Sequence, residues 1–548
     1  MKKSAVSARK RKIGKLTAVF LILCIVFCGG LPYLSETRKL AWVPFSAAAL
    51  ISCLLLWMAA GRIKPESFQS IRLIRFLDSL SDSGFFLICL LFFLVSWILP
   101  YLGMYPGTFG YDGPRQYAMI SQTVPLTLHH PLLHTLLLNF LIRTGEQIGG
   151  SLESGVAFYS FIQGLLCALT FSYLLLWLRK RKAGAGFLLF SLIWLGWNPF
   201  IQTIIFTTTK DVLFGCSMVI FALLSLDAWN EGSEMSAGRL ISLIVFSLLV
   251  CLLRNQGIYI VAACCLFYFI FQLFPKSRGK RRWQISVSLL AACLFCTLFQ
   301  TGAQVIFDIP KGNSKEMLSV PMQQLAYTAR NYRDGGYSVM SEKEYEEIIE
   351  FIPAEGLDSY MSYCADPVKN SFRTEVFMKN LPENIELYLK IGLQNPYRFF
   401  WAWQQLVSGY FDWTEIRQLN MAFKTSFPDL IPDYPPERSP LCPDYYYFLY
   451  HLIQNQELSD NPVLNLLFSP SEAVWMLLLI LIAAAGKRNL QVWIVLFPFL
   501  VFFASLLLGP IAMLRYLFPL ICIEPLLFWS GWQFLRPAYE GQPETAEQ

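Results

Sequence analysis

The chain has 548 residues, of which 55% are hydrophobic and only 15% charged, with a mean hydropathy of +0.46. A soluble protein of this length would expose far more charge, and several apolar runs of about 20 residues are each long enough to cross the roughly 30 Å hydrocarbon core of a bilayer. The formal net charge of +6 does not point to nucleic acid, because the basic residues gather at the ends of apolar runs, where they act as orientation signals.

In chain order, the basic start MKKSAVSARKRKIGK is followed by LTAVFLILCIVFCGGLPYL, which reads as an uncleaved anchor because a second apolar run follows at once. Apolar runs then predict about twelve spans, at roughly 16–34, 41–60, 84–103, 155–178, 185–204, 210–229, 239–254, 257–274, 284–306, 471–486, 490–508 and 512–531. With the N-terminus inside, the inner segments carry 24 Lys and Arg and the short outer segments carry 7. That bias places both termini in the cytoplasm. It also predicts that the apolar stretch 131–150 lies along the outer face, because a crossing there would put the RKRK cluster at 179–182 outside. The chain therefore divides into a membrane domain (1–306, nine spans, with an outer loop at 104–154), an extracytoplasmic domain (307–470), a second membrane segment (471–531, three spans) and a cytoplasmic tail (532–548).

Residues 307–470 hold 22 acidic against 13 basic residues, and SEKEYEEIIEFI and ENIELYLKIGL have helical spacing with acidic starts. The fold expected is an all-α polytopic membrane protein with a mainly helical extracytoplasmic domain. Twelve of the 14 cysteines lie in or beside apolar runs and read as packing residues, with no metal or redox chemistry expected of them. Cys364 and Cys442 lie in the polar stretch, where a disulfide between them stays open.

The predicted outer turns collect the chemistry. The first carries Asp112 and Arg115, followed by His129, His130 and His134 in HHPLLH. TTTKD carries Lys210 and Asp211, LLRNQGIY carries Arg254, Asn255 and Tyr259, and GPIAMLRYLFPL carries Arg515 and Tyr516. Each has a plainer reading. Asp112 before Gly113 and Pro114 suits a turn cap, Asp211 suits a helix start, and Arg254 and Arg515 suit headgroup-level anchors. His130 and His134 stand one helical turn apart, as in a metal site, but no third ligand is evident, so hydrogen bonding is the favoured role. Taken jointly, several cations and a carboxylate pair at one membrane face suit a lipid phosphate and a base for a hydroxyl acceptor.

The stretch YPGTFGYDGPRQY with HHPLLHTLL, TTTKD, LLRNQGIY and LRYLFPL, together with VPMQQLAYTARNY at 320–332, resembles in order and spacing a group of bacterial multipass proteins. That group is allied to the GT-C superfamily of lipid-phosphate-sugar-dependent glycosyltransferases. The resemblance spans most of residues 84–531. It implies a GT-C-like membrane glycosyltransferase in a bacterial plasma membrane. The enzyme would pass a sugar from a polyprenyl-phosphate carrier to a cell-envelope acceptor, with membrane lipid as partner and no nucleic acid. Asp112 would match the loop aspartate that acts as base or binds a divalent metal (Mg or Mn). Lys210 and Arg254 would match cations near the lipid phosphate, and Arg515 with Tyr516 the Arg-Tyr pair before the last span. Arg115, His130, His134, Asp211, Asn255 and Tyr259 would line the substrate. The resemblance departs from its pattern in a single first-loop acid and an unmatched outer domain. The rival expectation is a transporter or lipid flippase with a basic outer cavity.

Overall fold

The computed structural model describes residues 72–121, 123–231, 235–273, 283–312, 314–411, 422–423, 429–431, 434, 438–453, 461, 468–487 and 490–535. The first two predicted spans and the C-terminal tail beyond residue 535 lie outside the described residues. Among the described residues the regular structure is helical, with β-pairing confined to isolated bridges. The chain divides into two compact units. The described residues of 312–412 and 503–516 form one, and those of 72–311, 422–502 and 517–535 form the other.

In the larger unit the helices run α1 (Arg72–Ser79), α2 (Asp82–Ser96), α3 (Ile98–Gly103), α4 (Gly113–Ile120), α5 (Leu132–Gly149) and α6 (Leu152–Lys180). They continue as α7 (Ala185–Trp197), α8 (Pro199–Ile204), α9 (Lys210–Glu231), α10 (Ala237–Leu253), α11 (Gly257–Leu273) and α12 (Trp283–Ile306). Four helical segments are long and apolar enough to cross a membrane: Asp82–Gly103, Leu152–Lys180, Lys210–Glu231 and Trp283–Ile306. Burial separates them. The apolar window of α9 is 89% buried, against 61% for α6, 33% for α12 and 28% for the α2–α3 segment. A helix that is apolar all round belongs inside a bundle, and α9 packs against α6 and α10 accordingly. The exposed apolar flanks of α2 and α12 are where lipid would lie.

The stretch 131–150 is helical, as α5, and is not among those four segments. Its polar and small residues His134, Thr135, Asn139 and Gly145 turn inward, while Leu136, Phe140 and Ile148 stand exposed. Leu138, Leu141 and Ile142 are buried on the same side as these polar residues.

In the smaller unit, α13 (Ser319–Arg333), α14 (Glu342–Phe351), α15 (Ala354–Asp358), α16 (Asp366–Ser371), α17 (Thr374–Lys379), α18 (Leu381–Gln394) and α19 (Pro396–Val407) surround one apolar core. Met322, Leu325, Ile348, Phe351, Phe377 and Ile391 form its centre. Segment 503–516 is tied in by Ala365 N–H donating to Pro510 O (2.8 Å) and Trp403 Nε1–H to Leu507 O (2.9 Å). Four further helices follow in the larger unit's stretches: α20 (Pro443–Ile453), α21 (Ser471–Lys487), α23 (Phe518–Cys522) and α24 (Glu524–Leu535), with α22 (Leu490–Leu506) between α21 and α23. Cys364 and Cys442 are both free thiols.

The acidic helix start predicted at SEKEYEEIIEFI is a complete capping box: Ser341 Oγ accepts from Glu344 N–H, and the Glu344 carboxylate accepts from Ser341 N–H at 2.6 Å. Replacing an N-cap serine by alanine costs about 1 kcal/mol. In Ser341→Ala, hydrogen exchange of the α14 amides should therefore speed up about fivefold. Unchanged protection of α14 would mean that packing alone holds it.

Candidate functional site

The loop before α4 and the turn before α9 are laid side by side. Thr108 N–H donates to Phe206 O (2.8 Å) and Thr208 N–H to Thr108 O (2.9 Å), a short parallel bridge in an otherwise helical unit. The Thr208 hydroxyl donates to Thr108 O (3.1 Å) and accepts from Gly110 N–H (3.3 Å). Two glycines make this approach possible. Gly107 has φ +111°, and a Cβ on it would run into Ser160. A Cβ on Gly113 would come within 2.8 Å of the Thr208 carbonyl oxygen. Where backbones approach this closely, only glycine fits.

The docked loops set Asp112 against Lys210, whose ammonium forms an ion pair with Oδ2 of Asp112. Asp112 occupies the N-cap position of α4 but makes no side-chain cap bond, so its carboxylate serves the lysine and not the turn. The next residue, Asp211, is fully buried and pairs with Arg254 Nη1 at 2.7 Å. Its other oxygen accepts from the Thr209 hydroxyl at 2.7 Å. Arg254 caps the end of α10 and lies 5.6 and 5.5 Å from the ring centroids of Phe214 and Phe502. It is a buried partner of Asp211 and not a headgroup-level anchor. Two opposite-charge pairs thus meet at the first residues of the most buried helix.

The histidines divide. Both His134 nitrogens are engaged, Nδ1 with Gln116 Oε1 (3.0 Å) and Nε2 with the Tyr159 hydroxyl (3.0 Å). Tyr159 donates on to Gln163 (2.9 Å), and Gln163 Nε2–H donates to Ile205 O (2.8 Å) and Thr207 O (2.7 Å). A continuous polar chain therefore runs from α4 through α5 and α6 to the back of the TTTKD turn. His130 is 5% exposed, and its Nε2 has no hydrogen-bond partner. It lines a small cleft with Leu252, Asn255 and Gln300. Asn255 Nδ2–H donates to Leu128 O (3.2 Å) and His129 O (2.9 Å), so it holds the histidine loop. Burial pushes both imidazoles down to about pKa 3; Asp112 opposes the shift at both, and Lys210 adds to it.

Arg115 is exposed, and Tyr259 is 67% exposed on α11, so neither is drawn into the ion-pair group. Arg515 is buried in the smaller unit, with Nη2 3.3 Å from the Tyr516 hydroxyl and the guanidinium 4.9 Å from that ring's centroid. The donor set does not fit a divalent metal. Asp112 faces an ammonium, Asp211 a guanidinium, and no group of three or more metal-ligating side chains occurs among the described residues.

One residue was missed in the sequence. The Arg438 guanidinium donates to Met104 O (3.1 Å) and Thr108 Oγ1 (2.6 Å) and lies 5.5 Å from the Tyr446 ring centroid. It clamps the start of the Asp112 loop, and burial lowers its pKa to about 10. A lone arginine in a proline-rich stretch gave no signal of this.

The model of a family of unknown function, DUF6020, matches residues 121–544. The chain belongs to the DUF6020 family. No curated protein and no solved structure matches it. The DUF6020 match takes in the histidines, Lys210, Asp211, Arg254 and Arg515, and it begins beyond Asp112.

A histidine with a depressed folded pKa leaves the unfolded chain binding more protons between pH 6.5 and 3, so stability falls as pH drops through that window. At pH 5 the loss is about 2 kcal/mol per histidine. In acid-melting curves, His134→Gln should have a lower starting stability and a shallower decline from pH 6.5 to 4. A decline as steep as the wild type's would show that His134 is not held neutral.

Proposed function

We propose that this DUF6020 protein is a membrane glycosyltransferase with a GT-C-like arrangement of about twelve spans and both termini cytoplasmic. It would move a sugar from a polyprenyl-phosphate donor to a cell-envelope acceptor at the outer face of a bacterial plasma membrane. The observation that carries this reading is the Asp112–Lys210 pair: a partly exposed carboxylate held by an ammonium at a helix start, beside the buried Asp211–Arg254 pair. Lys210 would give up Asp112 for the donor phosphate, and the freed carboxylate would become the base. The acceptor hydroxyl proton passes to Asp112, and the acceptor oxygen bonds the anomeric carbon. The bond from that carbon to the phosphate oxygen breaks with its electron pair, leaving polyprenyl phosphate against Lys210. Arg254, locked by Asp211, fixes Lys210 and does not itself take the phosphate. The mechanism needs no metal and draws only on residues of the larger unit.

A transporter or lipid flippase is the second reading, and one observation favours it. Glu524 at the start of α24 is buried and accepts from Trp194 Nε1–H, while Oε2 of Glu472 on the neighbouring α21 is buried without a partner. Ionisable groups inside apolar helices often mark ion or proton paths.

Purified protein incubated with a panel of polyprenyl-phosphate sugars and envelope glycan acceptors should release polyprenyl phosphate. Asp112→Asn should lower that release at least about a hundredfold, the scale of a lost general base. Full activity in Asp112→Asn would remove the mechanism. No release by the wild type, combined with lipid translocation in proteoliposomes that depends on Glu524, would replace it with transport.

A further inference from the structure

The cysteines were expected to be packing residues, but three helices bring several of them together. Cys251 lies on the last turn of α10, Cys264 and Cys265 on α11, and Cys293 and Cys296 on α12. Cys293-Leu-Phe-Cys296 is a C-x-x-C spacing inside an apolar run. Residues three apart on a helix share a face, and this face meets α10. The thiols of Cys293 and Cys296 both neighbour the Cys251 thiol, and the Cys293 thiol also lies 3.9 Å from the Ile258 carbonyl oxygen on α11. The Cys296 thiol also lies 3.8 Å from the Cys251 carbonyl oxygen. Cys251 is 1% exposed and Cys296 is fully buried, while Cys293 is partly accessible. All are free thiols.

We propose that Cys251, Cys293 and Cys296 form a disulfide-forming site between α10 and α12, with Cys251 as the common partner. Two alternative bonds are open to it, Cys251–Cys293 and Cys251–Cys296. In either, two S–H bonds break and one S–S bond forms. The two protons and two electrons pass to a membrane-permeant two-electron acceptor such as a quinone or a diazene, which becomes the hydroquinone or hydrazine. A water-soluble oxidant would not reach thiols in this apolar interior. The bond would fix the last turn of α10 to α12, one turn before Arg254, whose contact with Asp211 depends on where that turn ends. A covalent tie between segments this far apart in sequence stabilises chiefly by restricting the unfolded chain. The proposal is independent of the glycosyltransferase reading, since it concerns bond formation and not transfer.

The test uses full-length protein in membranes treated with diamide, a permeant diazene. Free thiols are then blocked, disulfides reduced and the released thiols labelled and mapped by peptide mass spectrometry. Wild type should show label on Cys251 together with Cys293 or Cys296. Cys293→Ser should shift all of it to the Cys251 and Cys296 peptides, and Cys296→Ser to Cys251 and Cys293. Cys251→Ser should lose the label from all three sites. Cys251 remaining fully blocked in diamide-treated wild type would overturn the proposal without recourse to any variant. So would a Cys293–Cys296 bond that persists in Cys251→Ser.

Discussion

The placement of the charged group depends on one short piece of backbone pairing, Thr108 against Phe206 and Thr208. A buried unpaired peptide group is costly, so these two buried irregular segments must satisfy each other. Once they do, the register is fixed, and Asp112 and Lys210 have no choice but to meet. Gly107 and Gly113 permit the contact, Arg438 clamps the loop from outside, and Gln163 ties down the turn from behind by its two carbonyl bonds. The ion pair is the result of this scaffold and not its cause. An ion pair left partly exposed contributes little to stability, and Lys210 and Asp112 are 13% and 25% exposed.

The adjacent pair is different in kind. Asp211 and Arg254 are 0% and 7% exposed, so removing either partner strands a charge in the bundle. Breaking such a pair costs about 3–5 kcal/mol. Adjacent residues of one helix therefore carry pairs of different character, one buried and one partly exposed. The buried pair anchors the start of α9, the helix on which the larger unit is built. The partly exposed pair borrows that rigidity.

Much of this was legible in the sequence, for identifiable reasons. Long apolar runs located α6, α9, α10, α11 and α12 to within a few residues of their ends, because period and length are strong signals. Asp112 and Lys210 stood out as charges in turns beside apolar runs. What could not be read was the partner of each charge. Arg254, expected beside a lipid phosphate, faces the buried Asp211, and Asp112, for which a turn cap was the plainer alternative, makes no cap bond. The His134–Tyr159–Gln163 chain left a faint trace, polar residues four apart inside an apolar run, but its far end lies on carbonyls that no side-chain pattern reports. Arg515 was grouped with the other cations by its turn alone, yet segment 503–516 folds with 312–412. Chain order shows which turns carry charge and does not show which unit each turn joins.

The charge balance narrows what the site can bind. Asp112 with Lys210 and Asp211 with Arg254 sum to zero, so the group does not attract an anion by net charge. Nor do its histidines add charge near neutral pH, since burial holds them neutral. An anion gains affinity there only by displacing Asp112 from Lys210, because Arg254 is committed to a buried partner. Binding and release of the carboxylate would then be one event. Under the proposed mechanism, a neutral ligand would leave the pair closed and the base occupied, whereas a phosphate would open it and deliver a free carboxylate within reach of the same ammonium. Selectivity for an anionic donor and activation of the acceptor would follow from a single exchange, with the alternative state stabilised by no more than the modest energy of a partly exposed ion pair.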